Sequence, residues 1–429
     1  MSDSAPAPSH DHAILTADYP HLFHKDVRKD ILRRVVISFI ITLLILILMG
    51  LIIALQLGAT WSPTSFTQNI DIVVVDHDQS IVGSILQNIL ANVTGLSIRF
   101  DYTIDDPYNY ILTEGAWGAL VIPENFTKNF YAGLDGQKPY SQSLSYIFDQ
   151  GRHYGGINVI NRLLYAYMNA SSTVIIDSLA KNYKGGILTT NVDPQILFNP
   201  VPITEINIRP ITHTGEDGAV SLCMMYLFLL ATASASNVSA LWNVLLGKVR
   251  LYQILLIRTA HNFINAVLIC LAICMIMFAF GSEFMSGIVP FWLYLVLVML
   301  TFMQIVELIV VTCGPFFIFL YPLAMVLNYA TSQAMMPNEL QSSFYLMGKA
   351  LPMYHGVRGA RFLLFGSHKS FIAEDVAVLA AWFIPLFVIN CSVFMFPNLF
   401  KRYKFFSAIK KSEKSTKNDS HDESHQETH

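Results

Sequence analysis

From Val35 to Leu57 the chain is apolar and uncharged, and Ser38, Thr42 and Gln56 are its interior polar side chains. A helix of about 23 residues, rising 1.5 Å per residue, is about 35 Å long and can cross a hydrocarbon core of about 30 Å. Lys25, Arg28, Lys29, Arg33 and Arg34 precede the run, Trp61 follows it, and the next basic residue is Arg99. Because basic residues stay on the cytosolic side, the N-terminus is expected in the cytosol and the chain leaves the span on the far face. A cleaved signal peptide fits poorly, since this apolar core is too long and begins about 34 residues in.

Composition extends the reading to the whole chain. Of 429 residues, 53% are hydrophobic and 13% are charged, where a soluble domain carries about a quarter charged. The formal net charge of −3 points to no nucleic-acid partner. The five cysteines, Cys223, Cys270, Cys274, Cys313 and Cys391, all lie in apolar segments. The stretch between the first two spans is therefore expected to fold without a disulfide frame. Cys270 and Cys274 read as packing residues.

The expected domains follow in order. Residues 1–20 are a disordered cytosolic N-terminus, and His10 and His12 in it could hold a metal only loosely, so no metal site is expected there. Residues 21–57 are an amphipathic helix, with Phe23, Val27, Ile31 and Val35 on one face, feeding the first span. Residues 58–218 form an extracytosolic α/β domain. In it, Ile70–Asp76, Ser97–Tyr102, Trp117–Ile122 and Ser141–Phe148 read as strands. Helices start after Asp78 or Ser80 and at Asp105–Pro107, and a long amphipathic helix covers Ile157–Ser178. Residues 185–218 read as an extended return to the membrane. Residues 219–400 form a membrane domain with five more spans, at about 219–240, 258–280, 290–312, 314–333 and 376–397. A re-entrant segment lies at 340–366, where Pro352 and four glycines interrupt an apolar stretch. Residues 401–429 are a cytosolic tail. The fold class is thus an α-helical protein of six spans with an α/β domain inserted after the first. Lys349, Arg358 and Arg361, on the extracytosolic side in this topology, stand against it.

Three glycosylation triplets, at Asn92, Asn125 and Asn169, fall in the inserted domain, as extracytosolic placement requires. Those at Asn237 and Asn390 lie in spans and that at Asn418 in the tail, so none of these three is expected to be used.

No Walker A, GxSxG, HExxH or paired CxxC pattern occurs, so no cofactor, metal or catalytic set is expected and the chain does not read as an enzyme. Asp76, His77 and Asp78 read as a turn with a helix cap. Asp149, Arg152 and His153 read as a polar turn before the long helix. Intramembrane polar groups are more informative. Arg258, His261, Asn262 and Asn265 recur at i, i+3, i+4 and i+7 in the third span, and Gln304 and Glu307 pair at i, i+3 in the fourth. Either a structural ion pair joins the two helices, or the groups form a polar path for a substrate or proton. Depth and adjacency bring Glu307 towards His261 or Arg258.

IDIVVVDHDQS after the first span, GAWGALVIPENFTKNF, and LPMYHGVRGARFLLFG before the last span carry a resemblance over residues 30–400. The layout resembles the fungal nitrosoguanidine-resistance membrane protein family, itself similar to type-2 ABC exporter permeases and bacterial phage-infection-type proteins. The resemblance implies a six-span permease-like body in the plasma membrane or secretory pathway that moves amphipathic compounds or lipids and contributes to drug resistance. It transfers no catalytic residues, and no nucleotide-binding domain is fused to the chain. The expected partners are membrane lipids; a second copy of the chain, a separate ATPase and another membrane protein stay open. The rival expectation is a non-transporting scaffold or regulator whose external domain binds a partner or senses lipid.

Overall fold

The structure is a computed structural model and describes residues 25–91, 95–136, 142–182, 196, 199, 201–211, 215–245, 250–313 and 317–395. Two compact units divide the chain, residues 1–54 and 55–429.

The apolar run forms a continuous helix, α1 (Lys25–Thr60), with no break between the basic stretch and the span. Many of its side chains are exposed, Phe39 at 69% and Leu46 at 67%, as suits a helix whose solvent is lipid.

A five-stranded sheet follows, built from β1 (Asp71–Asp76), β2 (Ser97–Phe100), β3 (Gly118–Ile122), β4 (Leu144–Phe148) and β5 (Ile203–Asn207) in the order β2-β1-β3-β4-β5. β1 runs parallel to β2 and β3, β4 is antiparallel to β3, and β5 is parallel to β4. β1 is buried from Ile72 to Asp76 because both faces of the sheet are covered. Ile72 and Val74 point to one face, under Leu86 of α2 (Ile81–Ala91), Phe126 and Phe130 of α4 (Phe126–Leu134), and Ile157, Ile160 and Leu164 of α5 (Tyr154–Asn182). Val73 and Val75 point to the other, against Ile111 of α3 (Pro107–Leu112). The α3 start is as expected: Pro107 opens the helix, and the Asp106 side chain accepts from the Asn109 N–H at 3.0 Å.

Three local expectations need correction. The 185–218 return contains a strand, β5, hidden because Glu205 and Asn207 interrupt its apolar pattern at the sheet edge. The α4 helix follows Pro123 where no helix was expected. The Asp78 carboxylate, expected at the start of α2, accepts from the Thr127 N–H of α4 at 3.1 Å, a cap that acts across space. Asp76 closes the turn by accepting from the N–H groups of Asp78 and Gln79.

The second half is a helix bundle: α6 (Gly215–Leu245), α7 (Leu251–Ala279), α8 (Ile288–Cys313), α9 (Phe317–Thr331), α10 (Pro352–Phe365) and α11 (372–395). Among the described residues, five helices are long and apolar enough to cross a membrane: Val35–Thr60, Gly215–Asn237, Leu251–Ala279, Ile288–Cys313 and Lys369–Met395. The span expected over 314–333 is the shorter α9, 15 residues long with Pro322 inside it. The broken segment at 340–366 is a 3-10 helix (Ser343–Ala350) followed by α10. A Cβ at Gly348 would lie 1.8 Å from the Thr331 carbonyl oxygen, so only glycine lets this turn pass so close to the end of α9.

Of the five long apolar helices, α8 is the most enclosed. Leu295, Val298, Met299, Phe302 and Met303 are fully buried against Met224, Leu227 and Phe228 of α6, Cys270 and Cys274 of α7, and Met353 and Val357 of α10. The thiols Cys223, Cys270 and Cys274 are free and buried there, as packing residues are.

Candidate functional site

The polar groups singled out from the sequence do meet, but in two sets. Steps of four residues turn a helix by about 40°, so Arg258 and Asn262 share one line on α7 while His261 and Asn265 share the next. Arg258 forms a buried ion pair with Glu307 of α8, its Nε lying 3.3 Å from Oε1. Asn262 donates to the same carboxylate at 2.6 Å. The second line faces α6: Asn265 donates to Ser234 Oγ at 3.1 Å and to His261 Nε2 at 2.9 Å. Gln304 borders the same small cavity as Arg258, Asn262 and Glu307 and receives two bonds from Asn390 of α11, at 2.8 and 2.9 Å. Ser234 and Asn390 are invisible as partners in the sequence. Four helices are stitched in this way.

A larger polar site lies at the other end of α8, where the sheet domain meets the bundle. Tyr294 and Glu307 are 13 positions apart on α8, about 20 Å along the axis. Tyr294 donates to the His355 carbonyl at 2.6 Å. Around this level the β4–α5 turn docks on the bundle. Ser367 donates to the Gly151 carbonyl at 3.0 Å, and fully buried Arg361 reaches Asp217 at 3.0 Å and the Arg152 carbonyl at 3.4 Å. Gly151 has room for this because a Cβ there would lie 3.0 Å from that of Phe365. His153 donates from Nε2 to the Gln333 carbonyl at 3.1 Å and accepts at Nδ1 from the Gly156 N–H at 3.1 Å, which fixes one tautomer. The polar turn read from the sequence is thus the docking surface. Arg358 and Arg361 are absorbed in the same way: Arg358 pairs with Asp375 at 2.6 Å and Glu374 at 3.0 Å, so neither arginine is a loose loop charge.

Between domain and bundle lies a chamber of about 400 Å³, lined by Glu114, Trp117, Arg152, His153, Gln333, Glu339, Lys349, Tyr354, His355, Arg358, His368, Phe371 and Glu374. Beside it, sharing Thr113, Glu114 and Ser370, opens a cavity of about 790 Å³ with Leu112, Met285 and Phe362 in its walls. Burial alone would push the Glu114 carboxyl up, but hydrogen bonds from His368 and the nearby His368 and Arg152 charges hold it at about 2. Burial and the Arg361 charge push the His153 imidazole well below its ordinary range. Burial raises the Asp149 carboxyl even though Arg209 pairs with it. Five non-glycine residues among those described have positive φ, and three of them, Glu114, Gln333 and His368, line this chamber. Held in such conformations, side chains of this kind mark sites that the surrounding structure over-determines.

The remaining candidates are placed as follows. Asn125 and Asn169 are exposed, at the start of α4 and on α5, whereas Asn92 lies outside the described residues, as do His10 and His12. Among the described residues no group of three or more His, Cys, Asp or Glu side chains is arranged to hold a metal ion.

Residues 41–388 match the model of a family described as "Protein of unknown function (DUF3533)". No curated protein and no solved structure matches the chain.

Proposed function

The chain belongs to the DUF3533 family, and we propose that it is a permease-like membrane protein that moves, or helps to move, amphipathic compounds or lipids. One observation carries this reading: the charged chamber and the apolar-walled cavity share Thr113, Glu114 and Ser370 at the end of the bundle where long helices begin and end. A purely polar solute leaves the apolar walls wet, and an oil leaves the charges unmet. A molecule with a polar head and an apolar body satisfies both.

The reading takes the bundle as six crossings, with the sheet domain extracytosolic and both termini cytosolic. Its support is that Ala330, at the end of α9, packs with Ala59 and Tyr345, so α9 returns to the level where α1 ends. Buried pairing of Arg358 and Arg361 takes two of the three charges out of the argument against it and leaves exposed Lys349. In this arrangement the protein works in the plasma membrane or secretory pathway and contributes to drug and nitrosoguanidine resistance, with a separate ATPase as one candidate partner.

A second reading, a non-transporting scaffold or regulator that senses lipid or a partner, is favoured by the closed bundle. Arg258 and Asn262 both bond the Glu307 carboxylate, and Leu295, Val298, Met299 and Phe302 fill α8's buried face between that knot and the chamber. Reconstitution of the pure protein in liposomes with labelled lipid and drug separates the readings. Movement that appears when an ATPase partner is added supports the permease, movement without a partner supports a carrier, and none in either case supports the scaffold.

A further inference from the structure

The charges of the chamber are not all matched with one another. His368 takes Glu114, and Arg358 takes Glu374. Arg152, Lys349 and Glu339 form no side-chain ion pair among the described residues, although all three line the space. Arg152 donates one bond to the Ala116 carbonyl and lies 3.9 Å from the Trp117 ring centre. Gln333 is 7% exposed, and its Nε2 has no hydrogen-bond partner although it borders the chamber. A buried amide donor left unmet is rare and calls for an acceptor from outside the chain.

We propose that the chamber binds the zwitterionic, phosphate-bearing headgroup of a membrane lipid. The phosphate sits against Arg152, Lys349 and the Gln333 amide, the ammonium against Glu339, and the hydrocarbon tails leave past Leu112, Met285 and Phe362. Guanidinium and amide donors suit a phosphate, which presents several acceptor oxygens. A carboxylate, not an aromatic cage, takes the ammonium because Arg152 and Arg358 already cover Trp117 and Phe371. A purely anionic lipid would meet the two cations and be repelled by Glu339. Free phosphate would use the cations and leave the adjoining cavity empty. This inference rests on the reading that the protein handles amphiphiles, but it requires binding only.

The test is calorimetric titration of the full-length protein in neutral detergent with four probes: a short-chain phosphatidylethanolamine, the matching phosphatidylglycerol, inorganic phosphate and an alkyltrimethylammonium. The ethanolamine lipid is expected to bind tightest. Lys349→Gln should weaken both phospholipids about tenfold, and Glu339→Gln should weaken the ethanolamine lipid about tenfold while leaving or improving phosphatidylglycerol. Lys349 is exposed, so its substitution tests the site even if Glu339→Gln lowers folding yield. Equal affinity for phosphatidylglycerol, or for phosphate alone, overturns the proposal, as do unchanged affinities in Lys349→Gln. Binding as described without lipid movement in liposomes keeps this site and removes the transport reading; movement with all four affinities unaltered in the variants does the reverse.

Discussion

Glu114 and His368 grip each other across the joint between the sheet domain and the bundle. The His368 N–H lies 2.5 Å from Oε1 of Glu114, and its Nδ1 lies 3.1 Å from Oε2. Both backbones are at positive φ. The pair is 254 positions apart in sequence, so neither residue hints at the other.

Acid should open this joint. The folded Glu114 carboxyl is held at about 2 against an ordinary 4.5. Between those values the unfolded chain binds the extra proton, so the stabilisation is full above 4.5 and fades as pH falls towards 2. Its size is of order 3 kcal/mol. Unfolding midpoints measured down this window should fall in the wild type and flatten in Glu114→Gln. Equal slopes in the two proteins would show that the carboxylate is not held by His368 and Arg152.

His153 acts in a higher window. Buried between Gln333 and Gly156, it stays neutral in the folded protein well below 6.5, while the unfolded chain takes up its proton near that value. Stability should therefore decline as pH drops below 6.5 and be fully regained above it. His153→Leu loses two hydrogen bonds at every pH but should erase the slope just below 6.5. A slope that survives the substitution would assign it to another group.

In the bundle, Glu307→Gln leaves Arg258 buried without its carboxylate, a loss of about 3–5 kcal/mol, whereas Arg258→Gln with Glu307→Gln can be nearly neutral. Thermal midpoint and membrane abundance should drop in the single variant and recover in the double one. A polar path predicts instead a normally abundant, inactive single variant that the second substitution does not rescue.

Sidedness is open to chemistry. Ser84→Cys in the sheet domain should react with an impermeant thiol reagent on intact cells, and Ser407→Cys should not. Glycosidase treatment should shift the mobility of the wild type if exposed Asn125 or Asn169 is used, and Asn125→Gln with Asn169→Gln should reduce that shift. Labelling of Ser407→Cys from outside contradicts six crossings with a cytosolic C-terminus.

What could be read from sequence alone was local. The run from Val35 to Leu57, the double-sided strand Asp71–Asp76 and the Asp106–Pro107 helix start each announce themselves within a few residues. The contact of Glu307 with Arg258 was also within reach, because helix depth and adjacency limit a buried carboxylate to few partners. What escaped depends on contacts remote in the chain. Asp78 caps a helix some 49 positions on, Asn390 serves Gln304, and the chamber gathers Glu114, Arg152, Gln333, Lys349 and His368 from a loop, a turn, the turn after α9, a 3-10 helix and the turn after α10. Arg358 and Arg361 looked like misplaced loop charges because their carboxylates, Asp375 and Asp217, sit on other helices.

The central claim is that the chamber takes part in moving amphiphiles, and lipid movement in liposomes reports on it most directly. Purified wild type, Lys349→Gln and Arg152→Gln are reconstituted with a headgroup-labelled phospholipid, with and without an ATPase-containing membrane extract, and the rate at which inner-leaflet label reaches an outside quencher is measured. The account predicts faster exchange for the wild type than for protein-free liposomes, and a loss of most of that gain in both variants, with the unfolding midpoint of Lys349→Gln near that of the wild type. Equal rates in protein-free and wild-type liposomes under both conditions, or full activity in both variants, would contradict it.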